Sequence, residues 1–128
     1  MRLLLDTNVL IPLLDEQLRT LAAPMQHALR DSGAVLYASV ATLWEIAIKT
    51  RLGRLTVRVP RALLAEAIER AGIQLVPIIR HHVLVDVEPE PATRDPFDRL
   101  LLAQCLVENL RLVTADRALV THPLAWQP

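Results

Sequence analysis

The sequence predicts an α/β domain built on a mostly parallel sheet with helices on both of its faces. Short apolar runs alternate along the chain with longer segments of helical periodicity. Most segments that join one apolar run to the next are long enough for the helical crossover that two parallel strands require. The chain has 128 residues, so we expect residues 1–128 to form a single domain with a sizeable buried core.

The first half of the chain contains two predicted strands and three predicted helices. The first strand stops abruptly at Asp6, and the second is closed by Ser39, which can cap the helix that follows. Pro24 falls inside the second helix and is expected to kink or divide it. The predicted elements are a strand at 3–5, helices at 8–14 and 16–30, a strand at 34–38 and a helix at 40–52.

The second half continues the alternation. Residues 55–59 alternate between apolar and polar side chains, which weakly predicts a short extended segment. The amphipathic segment at 60–71 begins with proline and is followed by glycine, the usual asymmetry of a helix. The remaining predicted elements are a strand at 73–77, a short helix at 79–85, an acidic proline-rich loop at 86–91, a helix at 95–108, a strand at 110–114 and one more short strand at 124–126.

The composition indicates an aliphatic core and no overall charge. Apolar residues make up 52% of the chain, but only four residues are aromatic. A small domain with this many apolar residues is expected to leave some of them on its surface, where they can contact a partner or a second copy of the chain. Fourteen basic and fourteen acidic residues cancel. Nucleic acid would therefore have to be bound by local positive patches or through a bound metal ion, because no global field attracts it.

The sequence predicts a cytoplasmic protein that does not enter the membrane. Cys105 is the only cysteine, which rules out an internal disulfide and fits a reducing compartment. Arg2 is followed by only three apolar residues before Asp6, so no signal peptide is recognisable. No segment approaches the ~18 uninterrupted apolar residues of a membrane span.

Acidic residues stand at positions that a parallel sheet would bring to one edge. Asp6 directly follows the first strand, and Asp116 follows the fourth strand by two residues. Glu45 lies early in the helix after the second strand, while Asp95 and Asp98 open the helix before the fourth. Strand carboxyl ends share one edge, where α/β sheets bind their ligands. We therefore expect these acids to converge.

Each acid also has a purely structural explanation. Glu45 and Lys49 have the spacing of a solvated ion pair on a helix. Asp95 and Asp98 occupy the cap and first-turn positions at which acids stabilise a helix start. The two acids that follow strands can cap the segments after them. The sequence alone leaves both interpretations open for each residue taken separately.

Clustered carboxylates predict a hard divalent cation. Carboxylates a few ångströms apart repel one another and raise their own pKa values unless a positive charge neutralises them. Mg²⁺ prefers carboxylate and water oxygens as ligands. No Cys/His spacing predicts zinc, since His81 and His82 are adjacent and fall on different helix faces. No nucleophile elbow, phosphate-binding glycine loop or dinucleotide fingerprint is present.

Four blocks of the sequence contain the acids and their neighbours: LLDTNVL at 4–10, TLWEI at 42–46, RDPFDRLL at 94–101 and LVTAD at 112–116. Together they resemble one known family, the PIN-domain ribonucleases. The resemblance is nearest to the toxin component of bacterial toxin–antitoxin pairs (VapC-like), in the branch that carries Asp-Pro-Phe-Asp-Arg. It covers essentially the whole chain.

The resemblance implies a three-layer α/β/α sandwich with a short, mainly parallel sheet of four to five strands. It also implies an endoribonuclease that depends on Mg²⁺ or Mn²⁺, cleaves RNA, is often a homodimer and is held inactive by a cognate antitoxin. The positions that match the family's acidic quartet are Asp6, Glu45, Asp98 and Asp116. The positions that match supporting residues are Thr7, Asn8 and Thr114. Asp95 is an extra acid of this branch, a helix cap first and a supporting group second.

The implied reaction is metal-assisted hydrolysis of a phosphodiester bond. Asp6 and Asp98 are expected to bind the metal, with Glu45 and Asp116 completing its ligands or orienting the attacking water. The basic residues beside two of these acids, Arg99 and Arg117, are expected to contact RNA phosphates, with exposed salt bridges as the alternative.

Two other functions remain open at the level of sequence. A phosphatase could use Asp6 as its nucleophile, but the usual Asp-x-Asp arrangement needs an acid where Asn8 stands. A regulatory module without catalysis could use the acidic edge to receive an arginine from a partner.

Overall fold

A computed structural model describes the whole chain, residues 1–128. At its centre is a parallel sheet of four strands in the order β3-β2-β1-β4. Leu4 of the central strand β1 pairs with Tyr37 on one side and with Leu112 on the other. Because all the strands run in one direction, their carboxyl ends meet at one edge. The strands are β1 (Arg2–Leu5), β2 (Val35–Ser39), β3 (Gln74–Val76) and β4 (Arg111–Val113).

Helices cover both faces of the sheet, so the predicted α/β/α arrangement is confirmed. Leu3 and Leu5 bury in one apolar core, and Leu4 buries in another on the opposite face, because successive side chains of a strand alternate. Each fully buried leucine contributes about 1.5–3 kcal/mol relative to exposure. None of the helices is both long and apolar enough to cross a membrane. The helices are α1 (Thr7–Leu14), α2 (Ala23–Arg30), α3 (Val40–Arg51), α4 (Leu64–Arg70), α5 (Arg80–Leu84) and α6 (Pro96–Glu108).

The helix predicted at 16–30 is divided. Glu16 has a φ of 57°, a left-handed conformation that a helix interior does not accept. A 3₁₀ turn at Leu18–Thr20 follows, and α2 then starts at Ala23. Pro24 lies in the first turn of α2, where its missing N–H leaves no hydrogen bond unmade.

The extended segment predicted at 55–59 forms no strand, since no neighbouring strand pairs with it. Val57 and Val59 instead pack against the apolar core that contains Leu3 and Leu5. The predicted helix at 60–71 opens with a 3₁₀ turn at Arg61–Leu63 before α4, and Gly72 ends it with a φ of 79°.

The short strand predicted at 124–126 is reduced to one bridge. Leu112 donates its N–H to Leu124 and accepts from the N–H of Trp126, at 2.9 and 2.8 Å. Backbone groups of alternating strand residues point to opposite sides. In the three-residue strand β4, only the backbone N–H and carbonyl groups of Leu112 therefore point away from β1. A ladder longer than this one bridge cannot form.

Candidate active site

Asp6 joins the end of β1 to the start of α1. Its N–H donates to the carbonyl oxygen of Val113 at 2.9 Å, continuing the pairing of β1 with β4. Its Oδ1 caps α1 by accepting from the N–H of Thr7 at 2.8 Å. Only 5% of the residue is exposed. The helix-cap interpretation is therefore right for one oxygen of this carboxyl group, and the second oxygen takes no part in the cap.

The second oxygen of Asp6 is held by Thr114, whose hydroxyl donates to Oδ2 at 2.7 Å. Burial raises the pKa of Asp6 above its ordinary value, while the hydrogen bonds from Thr114 and Thr7 act against this rise. The negative charges of Glu45 and Asp116 raise the pKa of Asp6 further. These charges reach Asp6 from α3 and from the end of β4.

Helix α3 brings Glu45 to the same edge. Ser39 starts this helix by accepting from the N–H of Ala41 at 2.9 Å, so Glu45 falls on the second turn. The buried carboxylate of Glu45 accepts from the hydroxyl of Thr7 through Oε1. Its Oε2 accepts from the ammonium of Lys49 at 2.8 Å. Both oxygens have partners, which fixes the position of Glu45 against α1.

Helix α6 contributes two acids from its first turn. Asp95 is the N-cap and accepts from the N–H of Phe97 at 2.8 Å. Asp98 lies three residues on and is 9% exposed. Burial, together with the negative charges of Asp95, Asp6 and Asp116, raises the pKa of Asp98 to about 6. A carboxyl group so perturbed inside a cleft is typical of a functional site.

The segment after β4 supplies Asp116. Its N–H donates to the hydroxyl of Thr114 at 3.0 Å, and its Oδ1 accepts from the N–H of Ala118 at 2.9 Å. Asn8 ties this segment to α1, because its side-chain oxygen accepts from the N–H of Ala115 at 3.0 Å. Asp116 is half-buried and starts a turn while it faces the other acids.

All five of these acids line one cleft of about 230 Å³ at the carboxyl edge of the sheet. Thr114 lies behind Asp6 and does not line the cleft. We call this space the acidic cleft. Its lining residues are Asp6, Thr7, Asn8, Ile11, Glu45, Lys49, Leu55, Asp95, Asp98 and Asp116.

The two arginines expected at the RNA phosphates do not line the acidic cleft. Arg99 pairs with Glu90, its Nε lying 2.9 Å from Oε1, and Arg117 is exposed beyond β4. Their contact with RNA stays a prediction. The basic residue in the cleft is instead Lys49, whose spacing from Glu45 is also that of a solvated ion pair. The signal in the sequence that could have placed Lys49 in the cleft is its position four residues after Glu45, a candidate metal ligand.

The family model of the PIN domain matches residues 3–122, a span that includes every acid of the cleft and all of the sheet except Arg2, the first residue of β1. The chain belongs to the PIN domain family. PIN domains are nucleases that act on RNA, and they generally use divalent metal ions. No curated protein matches the chain.

The acidic cleft of this PIN domain has the donor chemistry of a hard divalent cation. Its ligating groups are carboxylate oxygens, with no cysteine or histidine among the lining residues. The raised pKa values of Asp6 and Asp98 reflect burial and negative charge that nothing fully neutralises. No three Asp, Glu, His or Cys side chains are grouped here as the ligands of an ion. The fit to a hard divalent cation rests on the chemistry of the carboxylates that line the cleft.

Replacing Thr114 with valine is expected to destabilise the PIN domain by about 1–3 kcal/mol, because it removes the donor to buried Asp6 and the acceptor for the N–H of Asp116. Urea denaturation measures this loss. The matched control is Thr50→Val, whose hydroxyl bonds only to carbonyls of its own helix, and we expect a change within about 0.5 kcal/mol. Equal losses in the two variants would contradict a special role for Thr114.

Proposed function

We propose that this PIN domain is a Mg²⁺- or Mn²⁺-dependent endoribonuclease that hydrolyses RNA phosphodiester bonds. The observation that carries the proposal is the meeting of Asp6, Glu45, Asp98 and Asp116 in one cleft at the carboxyl edge of the sheet. These residues come from four separate parts of the chain, and helix capping alone gives no reason for them to face one another.

The roles proposed for the acids follow from their burial and partners. Asp6 and Asp98 are the most perturbed carboxyl groups of the cleft and would be the main metal ligands. A bound divalent ion supplies an acidified water and charge stabilisation at the phosphate. Glu45, anchored by Thr7, and the half-buried Asp116 would complete the ligands or orient the attacking water.

The supporting residues keep these carboxylates in position. Thr7 bonds to both Asp6 and Glu45, so it couples the two across the cleft. Thr114 holds Oδ2 of Asp6 at 2.7 Å. Asp95 caps α6 and adds negative charge beside Asp98, which supports its proposed role as a helix cap that also raises the affinity of the cleft for cations.

Removing the metal is expected to abolish cleavage. The cleft holds five carboxylates, and without a bound cation their charge repels the phosphates of RNA. We therefore expect EDTA to reduce the cleavage of a labelled RNA to the rate of the buffer alone, and excess Mg²⁺ or Mn²⁺ to restore it. Cleavage that continues undiminished in EDTA would contradict the mechanism.

We further propose that residues 1–128 form one cytoplasmic domain that acts as the toxin of a toxin–antitoxin pair. The proposal includes a cognate antitoxin protein and a homodimer as partners. Large apolar side chains exposed near α3 and α5 support the need for a partner surface: Trp44, Ile79, Val83 and Leu84. Light scattering of the purified protein measures the proposed dimer directly.

Growth on induced expression tests the toxin proposal in cells. We expect the wild-type chain to arrest growth and the Asp6→Asn variant to leave growth unchanged at equal protein level. Mapping RNA ends in the arrested cells identifies the substrate. Arrest by both variants would instead favour the non-catalytic module, whose acidic edge only receives an arginine of a partner.

The phosphatase alternative receives no support from the cleft. Asn8 occupies the position of the second acid, and its side chain bonds to Ala115 and lies 3.4 Å from Asp6 Oδ2.

A further inference from the structure

The acidic cleft presents an electrostatic problem for the RNA proposed as its substrate. Five carboxylates line it, and an RNA backbone adds a negative charge at every phosphate. A metal ion bound by several carboxylates leaves part of this repulsion in place. A positive side chain inside the cleft would reduce it further.

Lys49 is the one basic residue among those that line the cleft. It stands one helical turn after Glu45 on α3, and its Nζ lies 2.8 Å from Oε2 of that carboxylate. Glu45 is itself fixed by the hydroxyl of Thr7. The ammonium is thereby held at the wall of the cleft by a buried partner.

The ammonium of Lys49 keeps donors available for a ligand. Lysine carries three N–H donors, and the structure gives the ammonium only one hydrogen bond, to Glu45. The side chain is 41% exposed, whereas that of Glu45 is 7% exposed. Because the side chain is partly exposed and lines the cleft, a phosphate oxygen that enters the cleft can reach the remaining donors of Lys49.

The positive charge of Lys49 lies among carboxylates from two helices. Glu45 on α3 is its hydrogen-bond partner, and Asp95 and Asp98 at the start of α6 line the same cleft. The neighbouring Arg99, by contrast, is paired with Glu90 outside the cleft.

We infer that Lys49 is a phosphate-binding residue, whose ammonium donates to a non-bridging phosphate oxygen of the RNA while Glu45 holds it in place. This inference rests on the proposed function, because it takes RNA as the ligand of the cleft. It assigns to α3 a second role beside carrying Glu45.

The test is the equilibrium binding of a short fluorescein-labelled single-stranded RNA of random sequence, measured over a series of KCl concentrations. Ca²⁺ is present at saturation, as determined by titration for each variant. For Lys49→Gln we expect about tenfold weaker binding, the usual effect of losing one hydrogen bond to a charged group. We also expect the slope of log affinity against log salt to decrease in magnitude by about 0.7, the change for one phosphate contact on a single strand.

Two further variants separate a phosphate contact from a structural effect. Arg70→Gln is the matched control, because Arg70 also pairs with a glutamate four residues before it, at 2.7 Å, but lies exposed on α4 outside the cleft. We expect it to bind RNA like wild type. Lys49→Arg keeps the charge and is expected to recover the wild-type salt slope, and thermal melting confirms that each variant is folded.

If folded Lys49→Gln binds the RNA with wild-type affinity and the wild-type salt slope, this inference is overturned and the proposed function is not affected. An equal loss in Arg70→Gln would overturn the inference as well, because the effect would then be one of net charge. Failure of Lys49→Arg to recover the slope would show that Lys49 matters only through the packing of α3. A wild-type protein that does not bind the RNA at all would overturn the proposed function and this inference together.

Discussion

The Asp6→Asn variant is expected to cleave RNA more than about 100-fold more slowly than the wild-type protein. Loss of residues that merely support metal ligands already costs about 10- to 100-fold, and Asp6 is proposed as a ligand itself. Asparagine keeps one oxygen that can cap α1 by accepting from the N–H of Thr7. Its amide N–H can donate to the hydroxyl of Thr114, which reverses the bond that Thr114 now donates to Asp6 at 2.7 Å. The fold should therefore be retained. Initial cleavage rates in Mn²⁺ and far-ultraviolet circular dichroism measure the two effects.

The matched control for Asp6→Asn is Asp95→Asn, which removes a negative charge from the same cleft. Asparagine is as good a helix cap as aspartate, so the bond to the N–H of Phe97 can be kept. We expect a loss of less than about tenfold, since Asp95 is not proposed as a main ligand. Cleavage by Asp6→Asn at the wild-type rate, or an equal loss in both variants, would contradict the assignment.

The second large effect concerns stability and pH. The pKa of Asp98 is raised from 3.8 to about 6 in the folded protein, so between these values the folded state retains a proton that the unfolded state has lost. Asp98 therefore lowers the free energy of unfolding as the pH rises through this window, and the penalty is complete above about pH 6. In metal-free buffer we expect the free energy of unfolding of Asp98→Asn at pH 8 to exceed that of wild type by about 1 kcal/mol. This value is smaller than the full pKa shift would give, because water reaches the carboxyl group and screens its charge.

Urea denaturation of wild type and Asp98→Asn in EDTA, at pH 4 and at pH 8, measures this effect. The two proteins should have similar stability at pH 4, where the carboxyl group is protonated in the folded state. Asp86→Asn provides a control, because it removes an exposed carboxylate outside the acidic cleft and should not make the protein more stable at pH 8. A variant Asp98→Asn that is less stable than wild type at pH 8 would show that this carboxylate stabilises the empty cleft.

The strands could be predicted because their signal is local. The runs around Leu4, Leu36, Leu75 and Leu112 are short, apolar and bounded by polar residues or proline, and all four became strands of one parallel sheet. The division of the segment at 16–30 could be anticipated only through Pro24. A left-handed backbone conformation at Glu16 interrupts the segment before Pro24, and a glutamate gives no indication of such a conformation.

The convergence of the acids could be predicted from topology. Asp6 and Asp116 follow parallel strands that turned out to be neighbours, β1 and β4. The direct bond between Thr7 and Glu45 could not be predicted, because it depends on how α3 packs against α1. The same packing turns Lys49 into the cleft, so a spacing that is typical of a solvated pair became part of the site.

One measurement tests the central claim that the acidic cleft is the catalytic site of an RNA-cleaving enzyme. It is the cleavage rate of one labelled RNA by the purified wild-type protein and by its four single variants Asp6→Asn, Glu45→Gln, Asp98→Asn and Asp116→Asn, side by side in Mn²⁺. We expect cleavage by wild type and a loss in every variant, because all four side chains line the same cleft. No cleavage by the folded wild-type protein, or wild-type rates in the four variants, would contradict the claim.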